Sequence, residues 1–136
     1  MDFSKSIAIA ASGLRAQASR MRVISENIAN ADSTAPAAGG EPYRRRIATF
    51  TSQLDRELDA RVVGAGRTRN DMSEFVSKHQ PSHPAADAKG YVKYPNVNSL
   101  VEMTDMREAQ RSYEANVNVI GAARRMIQRT LDILRA

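Results

Sequence analysis

Four groupings in this 136-residue chain have residue types and spacings that could do chemistry. His79 and His83 stand four apart, the spacing that sets two imidazoles on one helix face to hold a metal. Pro81 lies between them and Pro84 follows, so that helix cannot form and an exposed loop is expected. Gly64-Ala65-Gly66 follows a valine pair, as a dinucleotide-binding loop follows a strand. Its third glycine is missing and no helix start lies in 67–72, so a hairpin turn is expected. Arg44-Arg45-Arg46 could grip phosphates, but extended backbone sends neighbouring side chains to opposite faces, and a surface strand is the plainer reading. The fourth grouping is Asn27 and Asn30. An amide both donates and accepts, so each can bridge backbone groups where a helix ends. No Ser/His/acid trio and no activated lysine is present, and neither an active site, a metal nor a cofactor is expected.

The asparagines close a long periodic stretch. From residue 3 to 31 apolar positions fall on a seven-residue grid: Ile7, Leu14, Met21 and Ile28 on one line, Ala10, Gln17, Ile24 and Ala31 on the other. That 3.5-residue spacing is the seam of a helix packed on another helix. Good helix formers lie between, and no proline occurs before Pro36. Asparagine tolerates the left-handed conformation that ends helices, and the Ala-Pro-Ala-Ala-Gly-Gly run forbids continuation.

The C-terminal third repeats the grid. Met103, Gln110, Val117, Arg124 and Leu131 form one line, and Met106, Tyr113, Ile120, Ile127 and Leu134 form the other. Ser99 with Glu102 three residues on predicts an N-cap and capping box. Val23, Val119, Met126 and Ile133 fall off these lines, so the helices carry more than one apolar face, as in an assembly.

Between the helices, residues 35–98 hold all five prolines and most of the glycines. Short β-favouring pieces stand at 43–50, 60–63, 75–76 and 91–94, with a turn at 64–70 and an extended loop at 81–90. Residues 54–58 fit a helical turn or part of a longer strand. The expected fold is mainly α. Long terminal amphipathic helices (1–34 and 99–136) pack as a coiled-coil-like pair, and 35–98 form an irregular, β-containing insert.

Composition narrows the function. The net charge is +5, carried largely by sixteen arginines, but acids are interspersed with them, which reads as a solvated mixed surface rather than a nucleic-acid face. Cysteine is absent, which excludes disulfides and thiolate metal sites and is compatible with an oxidising compartment. Ala16-Gln17-Ala18 imitates a signal-peptidase site. Asp2 spoils a positive start, Arg15 interrupts a short apolar run, and the helical pattern continues through the site, so no cleaved signal is expected. No segment is long and apolar enough to insert in a membrane.

The pieces "SGLRAQASRMRVISENIANADST", "AADAKGYVKYPNVNSLVEMTDM" and "RSYEANVNVI" resemble the rod and hook family of bacterial flagella. The family's Asn-x-x-Asn-x-x-(Ser/Thr)-like element falls on Asn27, Asn30 and Ser33 or Thr34, and its Tyr-x-Ala-Asn element on Tyr113, Ala115 and Asn116. The segment 87–98 and the short length resemble its proximal-rod members. The resemblance implies a non-enzymatic structural subunit that transmits torque from the motor ring to the distal rod and hook. It implies a place in the periplasmic rod and export through the flagellar type III apparatus without cleavage. The implied neighbours are other rod subunits and the adaptor protein that joins the rod to the membrane ring. It also implies that the terminal helices pack into an inner tube with the middle outward.

On that reading Asn27, Asn30, Tyr113 and Asn116 fix helix register and the turn into the insert. Tyr91 and Tyr94, the latter held extended by Pro95, form a strap that touches a neighbour or covers its own helices. From residue pattern alone, a cytosolic coiled-coil adaptor or chaperone-like module is the alternative.

Overall fold

A computed structural model describes residues 2–135. Helix α1 spans Phe3–Ala29 and helix α2 spans Ser99–Arg135. At about 1.5 Å per residue the 37 residues of α2 are about 55 Å long. Asp2 caps α1, its Oδ1 accepting from the Ser4 and Lys5 amides at 3.0 and 3.3 Å. At the other end Asn30 Nδ2 donates to the Glu26 carbonyl at 2.8 Å, and Ser33 Oγ donates to the Asn30 carbonyl at 2.8 Å. The helix therefore ends without a left-handed asparagine: among the described residues Asp59 is the only non-glycine with positive φ. The Asn30 and Ala31 amides and the Asn30 side chain serve the Glu26 and Ile28 carbonyls, so that conformation is not needed.

The start of α2 also differs from expectation. Asn98, one residue before Ser99, is the cap, and its Oδ1 accepts from the Leu100 and Val101 amides at 3.0 and 3.4 Å. Glu102 makes no return bond to that cap, because its carboxylate is taken by partners distant in sequence.

The chain divides into two compact units, and each long helix runs through both. Unit 1 comprises Met1–Met21, Ala48–Arg67 and Arg107–Ala136; unit 2 comprises Arg22–Ile47 and Thr68–Met106. In unit 1 the insert contributes β2 (Phe50–Asp55) and β3 (Ala60–Ala65), an antiparallel hairpin pairing Phe50 with Ala65 and Asp55 with Ala60. Its turn is built by Asp55 Oδ1, which accepts from the Glu57 and Leu58 amides, and by Asp59 at φ 45°. Gly64 and Ala65 thus continue a strand rather than make a turn.

In unit 2, β1 (Arg46–Ile47) pairs with β4 (Arg69–Asn70), and β5 (Val76–His79) with β6 (Tyr91–Tyr94), both antiparallel. Residues 69 and 70, expected in a turn, gain their strand partners from the arginine segment. Gly90, at φ 82°, carries the chain from the loop into β6. A Cβ there would lie 3.1 Å from Pro81 and 3.2 Å from His79.

Candidate assembly interface

Asn27 sits near the end of α1, buried in unit 2 at 1% exposure. All four of its hydrogen-bonding sites are used. Nδ2 donates to the Arg46 carbonyl at 2.8 Å and to Glu102 Oε2 at 3.0 Å. Oδ1 accepts from the Tyr43 hydroxyl at 2.8 Å and from the Arg46 amide at 3.0 Å. One side chain therefore pins the segment leaving α1 to the first turn of α2.

Glu102 is fully buried, and its carboxyl oxygens need partners inside the protein. Arg45 supplies one: Nε donates to Glu102 Oε1, while the guanidinium also reaches Asp71 at 3.4 Å and Asp105 at 3.7 Å. Burial pulls the pKa of Arg45 down, but the bonds and charges of Glu102 and Asp71 outweigh it, and the net shift is upward. Burial raises the Tyr43 hydroxyl, against the opposing pull of the Arg46 guanidinium. Asn96 completes the frame. Its Oδ1 accepts from the Arg45 amide, and its Nδ2 donates to the Asp71 and Ser73 carbonyls.

All three arginines of the 44–46 run are thereby occupied. Arg44 donates to the Asp71 and Ser73 carbonyls and lies 4.2 Å over the Phe75 ring, and Arg46 bonds Glu26 at 2.7 Å. Sequence reasoning placed these on a surface strand and missed Arg45 and Glu102 as partners across 57 residues. The capping-box spacing of Glu102 gave it a local role and hid the distant one.

The strap shares unit 2. Val92 and Pro95 are buried, Tyr94 donates its hydroxyl to Gln80 Oε1 at 2.9 Å, and Tyr91 stays exposed with its ring edge-on to His79 at 5.0 Å. His83 Nδ1 accepts from the Ala85 amide, and no cluster of metal-ligating groups occurs among the described residues.

In unit 1 the helices meet differently. Gly13 faces Asn116, so closely that a Cβ on Gly13 would lie 2.9 Å from the Asn116 amide nitrogen. Arg20, seven residues along α1, bonds Glu108, eight residues back along α2, at 3.3 Å; the helices are antiparallel here. The buried residues are Ala10, Ser12, Ala16, Ala109 and Ala123. Asn116 Nδ2 donates to the Ser112 carbonyl in its own helix, which holds the amide against Gly13. Ser12 Oγ accepts from the Val63 amide at 3.2 Å and ties the hairpin to α1. Gln17 Oε1 is shut from solvent and has no partner among the described residues. It borders an open recess of about 360 Å³ lined by Ile9, Gly13, Ala16, Phe50, Val63 and Asn116.

The seam residues fall as follows. Ile24 is buried; Ile7, Leu14, Met21 and Ile28 of α1 are half-buried, as are Met106, Tyr113, Ile120 and Ile127 of α2. Val117, Leu131 and Leu134 are exposed at 46%, 45% and 78%. The close-packed line of α2 in unit 1 is 109, 116 and 123, one residue before the line read from large apolar side chains. Small residues let the backbones approach, and the large ones are left facing away on both sides of α2.

The family model described as "Flagella basal body rod protein" matches residues 7–35, and "Flagellar basal body rod FlgEFG protein C-terminal" matches 88–133. The chain is similar to the flagellar basal-body rod protein FlgC of Agrobacterium fabrum, 49% identical over 94% of this chain and 92% of the relative. It is also similar to FlgC of Bacillus subtilis, 38% identical over 94% and 95%, and of Salmonella typhimurium, 39% identical over 92% of each. These relatives lend no support to a cytosolic adaptor or chaperone. The chain belongs to the FlgC family of flagellar basal-body rod proteins.

Proposed function

We propose that this rod subunit serves in the proximal segment of the shaft, where it carries torque from the motor ring toward the distal rod and hook without any catalytic role. Its terminal helices α1 and α2, within the terminal segments 1–34 and 99–136, line the inner core of the assembly, and 35–98 face outward. Its neighbours are other rod subunits and the adaptor protein at the membrane ring. It reaches the periplasm through the flagellar type III apparatus without a cleaved signal.

The observation that supports this most is the exposure of large apolar side chains on α2. Val117, Val119, Met126, Leu131, Ile133 and Leu134 are all 40% exposed or more, a surface that a lone subunit leaves in water. The names of the relatives support the rod itself.

Asn116→Leu tests the assembly reading. Leucine cannot keep the bond to the Ser112 carbonyl and crowds Gly13. The variant should keep its helix content by circular dichroism yet be missing from purified basal bodies and leave cells non-motile. Normal motility would contradict the role given to this asparagine.

A further inference from the structure

The β2–β3 hairpin has no buried residue. Among the described residues, one hydrogen bond joins 48–67 to either helix: the Val63 amide donates to Ser12 Oγ at 3.2 Å. The strand register shows why that amide is free to do so. The Gly66 amide donates to the carbonyl of Thr49 directly opposite, and along antiparallel strands bonded pairs alternate with unbonded ones. The bonded pairs are therefore Thr51 with Gly64, Gln53 with Val62 and Asp55 with Ala60, and the Val63 amide, opposite Ser52, points away from β2. Such an edge amide is open to a third strand. Here the buried hydroxyl of Ser12 takes it, while donating its own proton to the Ile9 carbonyl at 2.6 Å.

Resting on the rod-subunit reading, we propose that Ser12 is a positioning residue for assembly: its hydroxyl stands in for a strand on the outer edge of β3 and fixes where the hairpin sits on α1. Apolar packing alone does not set that place. Val62 is only half-buried, Phe50 and Leu54 are 45% and 60% exposed, and the hydrophobic effect has no direction, whereas a hydrogen bond selects one register. The other buried places of unit 1 are alanines, from which Ser12 differs by the hydroxyl alone. The bond to Ile9 satisfies that hydroxyl within its own helix; the bond from Val63 is what reaches the hairpin. Ser12 thereby places Phe50 and Val63 across the recess from Ile9 and Gly13.

Amide exchange read residue by residue by NMR on the full-length monomer, with Ser12→Ala beside wild type, tests the placement. In wild type the Val63 amide should exchange no faster than those of Val62 and Gly64, which donate to β2. In Ser12→Ala it should exchange at least about fivefold faster, while Val62, Gly64 and the α1 amides change by less than about twofold. A Val63 amide already faster than its neighbours in wild type, or unmoved by Ser12→Ala, overturns the inference. So does equal acceleration through the hairpin and α1, which is a general loss of stability. Assembly is read in flagellated cells that make wild type and Ser12→Ala in equal amounts. The variant should be at least about threefold under-represented in purified basal bodies, and equal incorporation overturns the role in assembly while leaving the exchange result intact. Absence of the wild-type chain from basal bodies overturns the rod reading, and the assembly role with it.

Discussion

The same two helices are closed in two different ways. In unit 2 the buried side chains include large or polar ones, Val23, Ile24, Val92, Pro95, Asn27 and Glu102, beside the alanines Ala35 and Ala85. Asn27 and Glu102 sit in a network that satisfies every hydrogen-bonding site of the amide. In unit 1 the buried side chains are alanines and a serine, and among the described residues none of its Val, Ile, Leu, Met or Phe is buried. Burying a Val or Ile stabilises by about 1.5–3 kcal/mol against roughly 0.8 for one methyl group, so each large side chain fully buried in unit 2 contributes more than each alanine buried in unit 1. Unit 1 also leaves Gln17 Oε1 without a partner among the described residues. Large apolar groups facing outward, a small-residue seam and an unpartnered buried acceptor describe a surface completed by other molecules. Unit 2 also exposes Met72, Leu100, Val101 and Met103, but the amide and carboxylate it buries, Asn27 and Glu102, are partnered within it.

The sharpest way to break this contrast is Glu102→Ala. It leaves Arg45 half-buried without its main anion and removes an acceptor from Asn27, and should destabilise unit 2 by about 3–5 kcal/mol. Denaturant unfolding of the monomer reads the loss, and an effect below that of an ordinary surface substitution would show that the network is ornamental. Gly13→Leu addresses unit 1. The side chain drives into Asn116 and should cost about 1–3 kcal/mol through separation of the helices there, seen as faster amide exchange confined to 3–21 and 107–135.

Acidification should give the smallest change. Asp71 is held below the ordinary carboxylate range, first by the Ser73 amide and also by Arg45. A depressed folded-state pKa contributes stability that is present above the unfolded value and lost as pH falls through the folded one. Unit 2 should therefore weaken below the usual Asp range, and Asp71→Asn should flatten that dependence in a pH series of unfolding curves.

Much of this architecture is legible in the sequence, because it rests on local rules. Heptad spacing and the absence of proline delimit both helices, and β-branched and aromatic runs locate most strand pieces. The seam was displaced by one residue for a physical reason. Pattern reading looks for large apolar side chains, whereas closely approaching backbones select Gly13, Ala16, Ala109 and Ala123. Large side chains mark the surfaces still to be covered. Asn27 was legible as a joint, since an amide at a helix end must bond something. Its partner Glu102 lies 75 residues away and imitates half of a capping box, so local rules assigned it to Ser99. The hairpin's attachment to Ser12 spans 51 residues and left no local trace.

Hydrogen exchange on the full-length monomer at low concentration, resolved by peptide, tests the contrast between the units most directly. Slow exchange at 22–29 and 99–106, together with fast exchange at 3–21 and 107–135 that slows on assembly into basal bodies, is the expected result. Equal protection along both helices in the monomer would contradict it, and would mean that unit 1 needs no partner to close.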